Sequence, residues 1–80
     1  MSISYTKTGQ IRLEGACPME DAERLLRALL DQPEAPIDWA DCHSAHTAVI
    51  QVLLAARRPM LGPPAGESLK LWIAPTLARP

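Results

Sequence analysis

Apolar and polar positions alternate from the start of the chain. Ile3 and Tyr5 interleave with Ser2, Ser4 and Thr6, and Ile11 and Leu13 interleave with Arg12 and Glu14. A period of two predicts strands with one buried face. Thr8-Gly9-Gln10 between them is a turn signal, so residues 3–14 read as a β-hairpin that Gly15 closes. The period then changes. Across residues 18–32, Ala22, Leu25, Leu26, Leu29 and Leu30 recur at the i, i+3, i+4, i+7, i+8 spacing of an amphipathic helix. Pro18 suits the first turn, where an N–H is not needed. Glu20, Asp21 and Glu23 complement the positive end of the helix dipole. Glu20 with Arg24, and Glu23 with Arg27, have the i, i+4 spacing of helix ion pairs. Pro33 and Pro36 stop the helix.

Ile37 and Trp39 would share one face of a short returning strand, residues 37–42. Ser44 is a favourable N-cap for a second helix over residues 45–57. Ala45, Ala48, Val49, Val52, Leu53 and Ala56 fill one face of it, and Ile50 and Leu54 carry apolar surface beyond that face. No charged residue falls between Ser44 and Ala56. Arg57 and Arg58 then suit the C-terminal end of the dipole, and Pro59 ends the helix. Residues 59–68, with Gly62-Pro63-Pro64 and Gly66, read as a loop. Leu69, Leu71 and Ile73 alternate with Lys70, Trp72 and Ala74, which predicts a last strand over 69–74 and a loose tail over 76–80. The order is β-β-α-β-α-β. It implies an α/β fold with a small mixed sheet of about four strands, joined by right-handed crossovers with two helices on one face.

Eighty residues suit one domain, 1–80. With 48% apolar and 21% charged residues the chain is of ordinary globular composition rather than disordered. At ~0.05–0.15 kcal/mol per residue its stability is expected at ~4–12 kcal/mol. Two Cys do not make a disulfide scaffold, and a net charge of −1 argues against nucleic-acid binding through phosphates. No run approaches the ~18 apolar residues of a membrane span, and the first ten residues lack the apolar core of a secretory signal. A cytoplasmic chain with Cys17 and Cys42 as free thiols is the expectation. The second helix is the misfit. It is apolar on most sides, and a chain this short has little with which to bury it, so a partner is expected to cover part of it.

Arg12-Leu13-Glu14-Gly15, followed by a helix ending in Leu25-Leu26-Arg27-Ala28-Leu29-Leu30, resembles the opening of STAS domains (sulfate transporter and anti-sigma factor antagonist). Ile37-Asp38-Trp39 is similar to their Asp-bearing strand, and residues 42–49 take the place of the following loop and helix start. The resemblance covers about residues 3–75 and lies more in the order of elements than in identities. It implies a non-catalytic interaction module of bacterial signalling, with the second helix as the docking element. In switch members of the family a Ser or Thr after an Asp is the phosphoacceptor. Here His46 stands at the Asp position and Thr47 at the acceptor, with Ala48 and Val49 in place of a Gly. The family's last helix is expected to be missing.

The candidate residues follow from both readings. Thr47 and Ser44 are candidate phosphoacceptors, set against a plain capping role. His46, Thr47, Ile50, Gln51 and Leu54 are the expected partner-binding surface, for a kinase, another regulatory protein or a second copy of the chain. The rival reading is a structural homodimer, or a small subunit of a larger assembly with no signalling role. Asp41, Cys42, His43 and His46, with Cys17, are ligand types for zinc but lack paired knuckles, so no metal or cofactor is expected. Cys42/His43 and Ser44/His46 are nucleophile–base pairs only on paper, because sequence neighbours seldom face each other; no enzyme activity is expected. Trp39 and Trp72 are expected to pack on the helices or sheet, or to anchor a partner.

Overall fold

The computed structural model describes residues 2–78. Strands β1 (Ile3–Tyr5) and β2 (Ile11–Cys17) form the expected antiparallel hairpin, with Ile3 opposite Leu13 and Tyr5 opposite Ile11. Gly9, at φ +83°, makes the turn possible, and Thr6 N–H bonds Gln10 O across it at 2.9 Å. Gly15 does not close the strand. It adopts φ +63° within β2, which runs on to bury Cys17.

Helix α1 (Glu20–Asp31) leads to β3 (Ile37–Ala45), helix α2 (Thr47–Ala56) and β4 (Met60–Leu61). The sheet order is β1-β2-β3-β4, with β2–β3 and β3–β4 parallel. Both crossovers advance in the same direction, so their right-handedness places α1 and α2 on one face. That face buries Ile11, Leu13, Cys17, Ile37, Trp39 and Cys42 against Leu25, Ala28, Leu29, Val49 and Leu53 of the helices. The opposite face carries Arg12, whose guanidinium bonds Asp41 and lies 3.7 Å from Glu14.

Strand β3 is three residues longer than its alternation predicts. Its register against β2 slips twice, each time with an extra residue on β3: Arg12 and Glu14 face Asp38 and Asp41, and Gly15 and Ala16 face Cys42 and Ser44. Burial therefore steps through Ile37, Trp39 and Cys42 instead of every second residue. Asp38 Oδ1 accepts the Ala40 N–H at 3.1 Å at the first slip.

The last strand is in the wrong place in the sequence reading. The fourth strand is Met60–Leu61, within the expected loop, where Met60 pairs with Ile37. Residues 69–74 are helical: a π-helical turn (Leu69–Ile73) continues into α3 (Ala74–Ala78). Leu69, Ile73 and Leu77 are four apart and form the inward row, and Leu69 is buried while Leu71 is 59% exposed. Alternation of Leu69, Leu71 and Ile73 fits a strand equally well on paper. Pro75, however, directly follows the π-helical turn, whose wider winding accommodates a ring that donates no N–H. The edge of β3 that a strand there would need is already covered. Gly66 N–H bonds Cys42 O at 2.9 Å, and Gly66 lies so close to His43 O that no Cβ fits. The expected tail is thus helical through residue 78, and its last two residues lie outside the described residues. The expected lack of a last helix fails with it.

Candidate functional site

The surface expected to bind a partner is built on α2. Its start differs from the expectation. Ser44 and Ala45 belong to β3, where they pair with Ala16 and Cys17, so Ser44 is not the N-cap. His46 is. Its backbone is extended, at φ −60° and ψ 150°, and its Nδ1 accepts the Ala48 N–H at 3.0 Å. Thr47 is the first residue of α2 rather than its third, and it is exposed. The helix closes at Arg57, whose left-handed backbone (φ 54°) lets its N–H bond Leu53 O at 3.3 Å.

Val49 and Leu53 point into the core, with Ala56 half-buried one turn on. Thr47 and Gln51 lie outward on the opposite side and are exposed. Ile50 and Leu54, one turn apart, are half-buried beside them. Of the expected docking residues, then, His46, Thr47 and Gln51 are open, while Ile50 and Leu54 are partly covered. The cover over Ile50 was not foreseen. Ile50 lines a hollow with Ala45, Leu69, Trp72 and Ile73, so the C-terminal helical segment supplies one wall.

A second hollow lies on the other flank, between α1 and α2. Leu26, Leu29, Leu30, Gln51, Val52 and Ala55 line a groove of about 370 Å³. Leu26 is 48% and Leu30 72% exposed. Periodicity places both leucines in the apolar stripe of α1. The helix seats instead on Asp21, Leu25, Ala28 and Leu29, and the two remaining leucines turn toward α2. The i, i+3, i+4, i+7, i+8 spacing of the apolar positions is that of one continuous stripe, so the sequence carried no signal that these two leave the core. Arg58 closes the groove's far end. It donates to Leu29 O and Gln32 O at 2.8 Å and to Ala35 O at 2.9 Å, so a residue expected to complement α2 caps α1.

The residues considered for zinc do not converge. Cys42 is buried on the helix side of the sheet, while Asp41, His43 and His46 are exposed. Among the described residues no three His, Cys, Asp or Glu side chains are grouped to hold a metal ion. Cys42 is buried while the adjacent His43 is exposed, and the Nδ1 of His46 is occupied by its capping bond. Trp39 is buried, whereas Trp72 is 74% exposed beside the hollow over Ile50. Among the described residues no helix is long and apolar enough to cross a membrane.

Comparison of the chain with family models, with curated proteins and with solved structures finds no match in any of the three.

Proposed function

We propose that this chain is a STAS-like, non-catalytic interaction module of cytoplasmic bacterial signalling, and that it docks a protein partner on α2. One observation carries the reading. An uncharged helix presents Thr47 and Gln51 beside half-buried Ile50 and Leu54, and on its other flank a groove continues the apolar surface onto Leu26 and Leu30. Small soluble domains rarely leave such a surface unless something binds it. The occupant is a regulatory protein, a kinase among the candidates, that presents an apolar face to the groove. The order of elements from β1 to β4, with the exposed Thr47 opening α2, supports the family reading.

Partners captured from a bacterial lysate are purified and titrated against the wild-type chain and against Leu30→Glu and Gln51→Glu, both at exposed positions that leave the core intact. The expected result is a one-to-one complex weakened at least tenfold by either substitution, about 1.4 kcal/mol. Binding that both folded variants retain overturns the docking surface. A wild-type chain that self-associates, and that either substitution makes monomeric, favours the homodimer instead.

A further inference from the structure

We propose that Cys17 and Cys42 form a reversible dithiol–disulfide couple within the core, oxidised by hydrogen peroxide or a peroxide of similar size. This inference does not depend on the docking surface.

The two thiols are 25 residues apart in sequence, yet their sulfurs lie 4.0 Å apart, each on the buried face of neighbouring parallel strands. The first slip of β3 sets Cys42 opposite Gly15 instead of Ala16, which turns it to the same buried face as Cys17, two residues further along β2. Both are free thiols. Packing alone would be served by Val or Ala at either position. A second buried group is only partly accounted for, since Arg24 Nη1 lies 3.5 Å from one oxygen of Asp21, its Oδ1. Asp21, in the first turn of α1, is 1% exposed, and its Oδ2 has no hydrogen-bond partner. A buried carboxylate oxygen without a partner is rare, and redox sites are among the places where one is retained.

Charge sorts the two sulfurs. Cys17 sits high because it holds its proton toward Cys42, because it is buried, and because the carboxylate of Asp21 disfavours a thiolate beside it. Cys42 is lowered by the S–H of Cys17, against the opposing effect of burial. Cys42 is therefore the attacking sulfur and Cys17 the resolving one. The Cys42 thiolate attacks peroxide: an S–O bond forms, the O–O bond breaks, and the departing hydroxide takes the proton that Cys42 released, giving water. The Cys17 sulfur then attacks the Cys42 sulfenic acid. The S–S bond forms, the S–O bond breaks, and the hydroxyl leaves with the Cys17 proton as a second water. Two thiols lose two electrons, and one peroxide gains them. A thiol such as dithiothreitol reverses the reaction by exchange. The oxidant has to be small, because neither sulfur reaches the surface.

The reduced chain is treated with peroxide in native buffer, blocked with N-ethylmaleimide after denaturation, and digested with trypsin. Cys17 and Cys42 fall in the separate tryptic peptides 13–24 and 28–57. The expected result is complete loss of both free thiols, one linked pair of these peptides from monomeric protein, and recovery of both thiols with dithiothreitol. Three outcomes overturn the proposal: both thiols persisting, oxidation to sulfinic or sulfonic acid without the linked pair, or linkage only between chains. Cys17→Ser and Cys42→Ser should each abolish the link. The wild-type peptide map decides the matter even if those variants do not fold. It also separates the link from methionine oxidation, to which Met19 in the first peptide is open.

Discussion

Arg58 follows a helix of ten uncharged residues, yet its guanidinium serves a different helix. Three backbone carbonyls at and beyond the end of α1 accept from it. Hydrogen bonds to a charged donor contribute about 1.5–3 kcal/mol each when isolated, less for a half-exposed group with shared geometry. Arg58→Ala is therefore expected to cost about 2 kcal/mol and to lower Tm by about 10 °C in a thermal melt. Arg58→Lys should recover only part of this, since an ammonium cannot span three carbonyls as the planar fork does. Gly66 is a second residue whose identity the fold demands. A methyl there would collide with backbone atoms of His43, which cannot rotate away. Gly66→Ala should detach the loop from β3 at a cost of about 1–3 kcal/mol, read as a lower midpoint in urea.

At the scale of elements, the C-terminal segment separates two structures with opposite consequences. As a strand, Leu69, Leu71 and Ile73 would share one buried face. As the helix observed, Leu69 is in the core and Leu71 is in water. Leu69→Ala is expected to cost about 2–5 kcal/mol, and Leu71→Ser to stay within about 0.5 kcal/mol. Equal losses from both would return the segment to a strand. Helix α2 carries the corresponding prediction for the docking surface. Thr47 lies in its first turn, beside the positive end of the dipole, so Thr47→Glu should leave stability unchanged or raise it by up to about 1 kcal/mol. The same substitution places a charge on the proposed docking face. Partner affinity is expected to fall while the melt does not, and calorimetric titration beside thermal unfolding reads both.

For the whole molecule, one sheet face is packed and the other is polar and open, with Arg12, Glu14, Asp38 and Asp41 on it. Among the described residues, the three helical segments gather on the core side or at its edge. The Cα radius of gyration is 11.0 Å. A compact chain of this length is expected near 11.6 Å and a compact dimer near about 15 Å. The docking proposal predicts small-angle scattering at the lower value for the isolated chain across a concentration series. A radius that rises to the upper value with concentration would mean that α2 is covered by a second copy.

Period and punctuation in the sequence determined the first hairpin, α1, the returning strand, α2 and hence the α/β order. The hairpin and α1 are amphipathic at their own periods, Ile37 and Trp39 alternate at the start of the returning strand, and α2 is an uncharged apolar run of helical length. Local sterics at Gly9, Pro18 and Pro59 mark where elements end. The end of β3 and the start of α2 were not legible. The slips of β3 against β2 and the cap on His46 depend on what lies alongside, and no window of sequence contains that neighbour. The same limit hid β4, which is two residues long and exists only because Ile37 and Asp38 offer it a ladder. Residues 69–74 carry a pattern that fits either a strand or a helix. Only the closed edge at Gly66 and the buried place for Leu69 decide between them. Of the candidate site, the uncharged face of α2 could be read directly. The contribution of Leu26 and Leu30, the cover over Ile50, the Arg58 cap and the meeting of Cys17 with Cys42 arise where distant segments touch, so tertiary structure alone decided them.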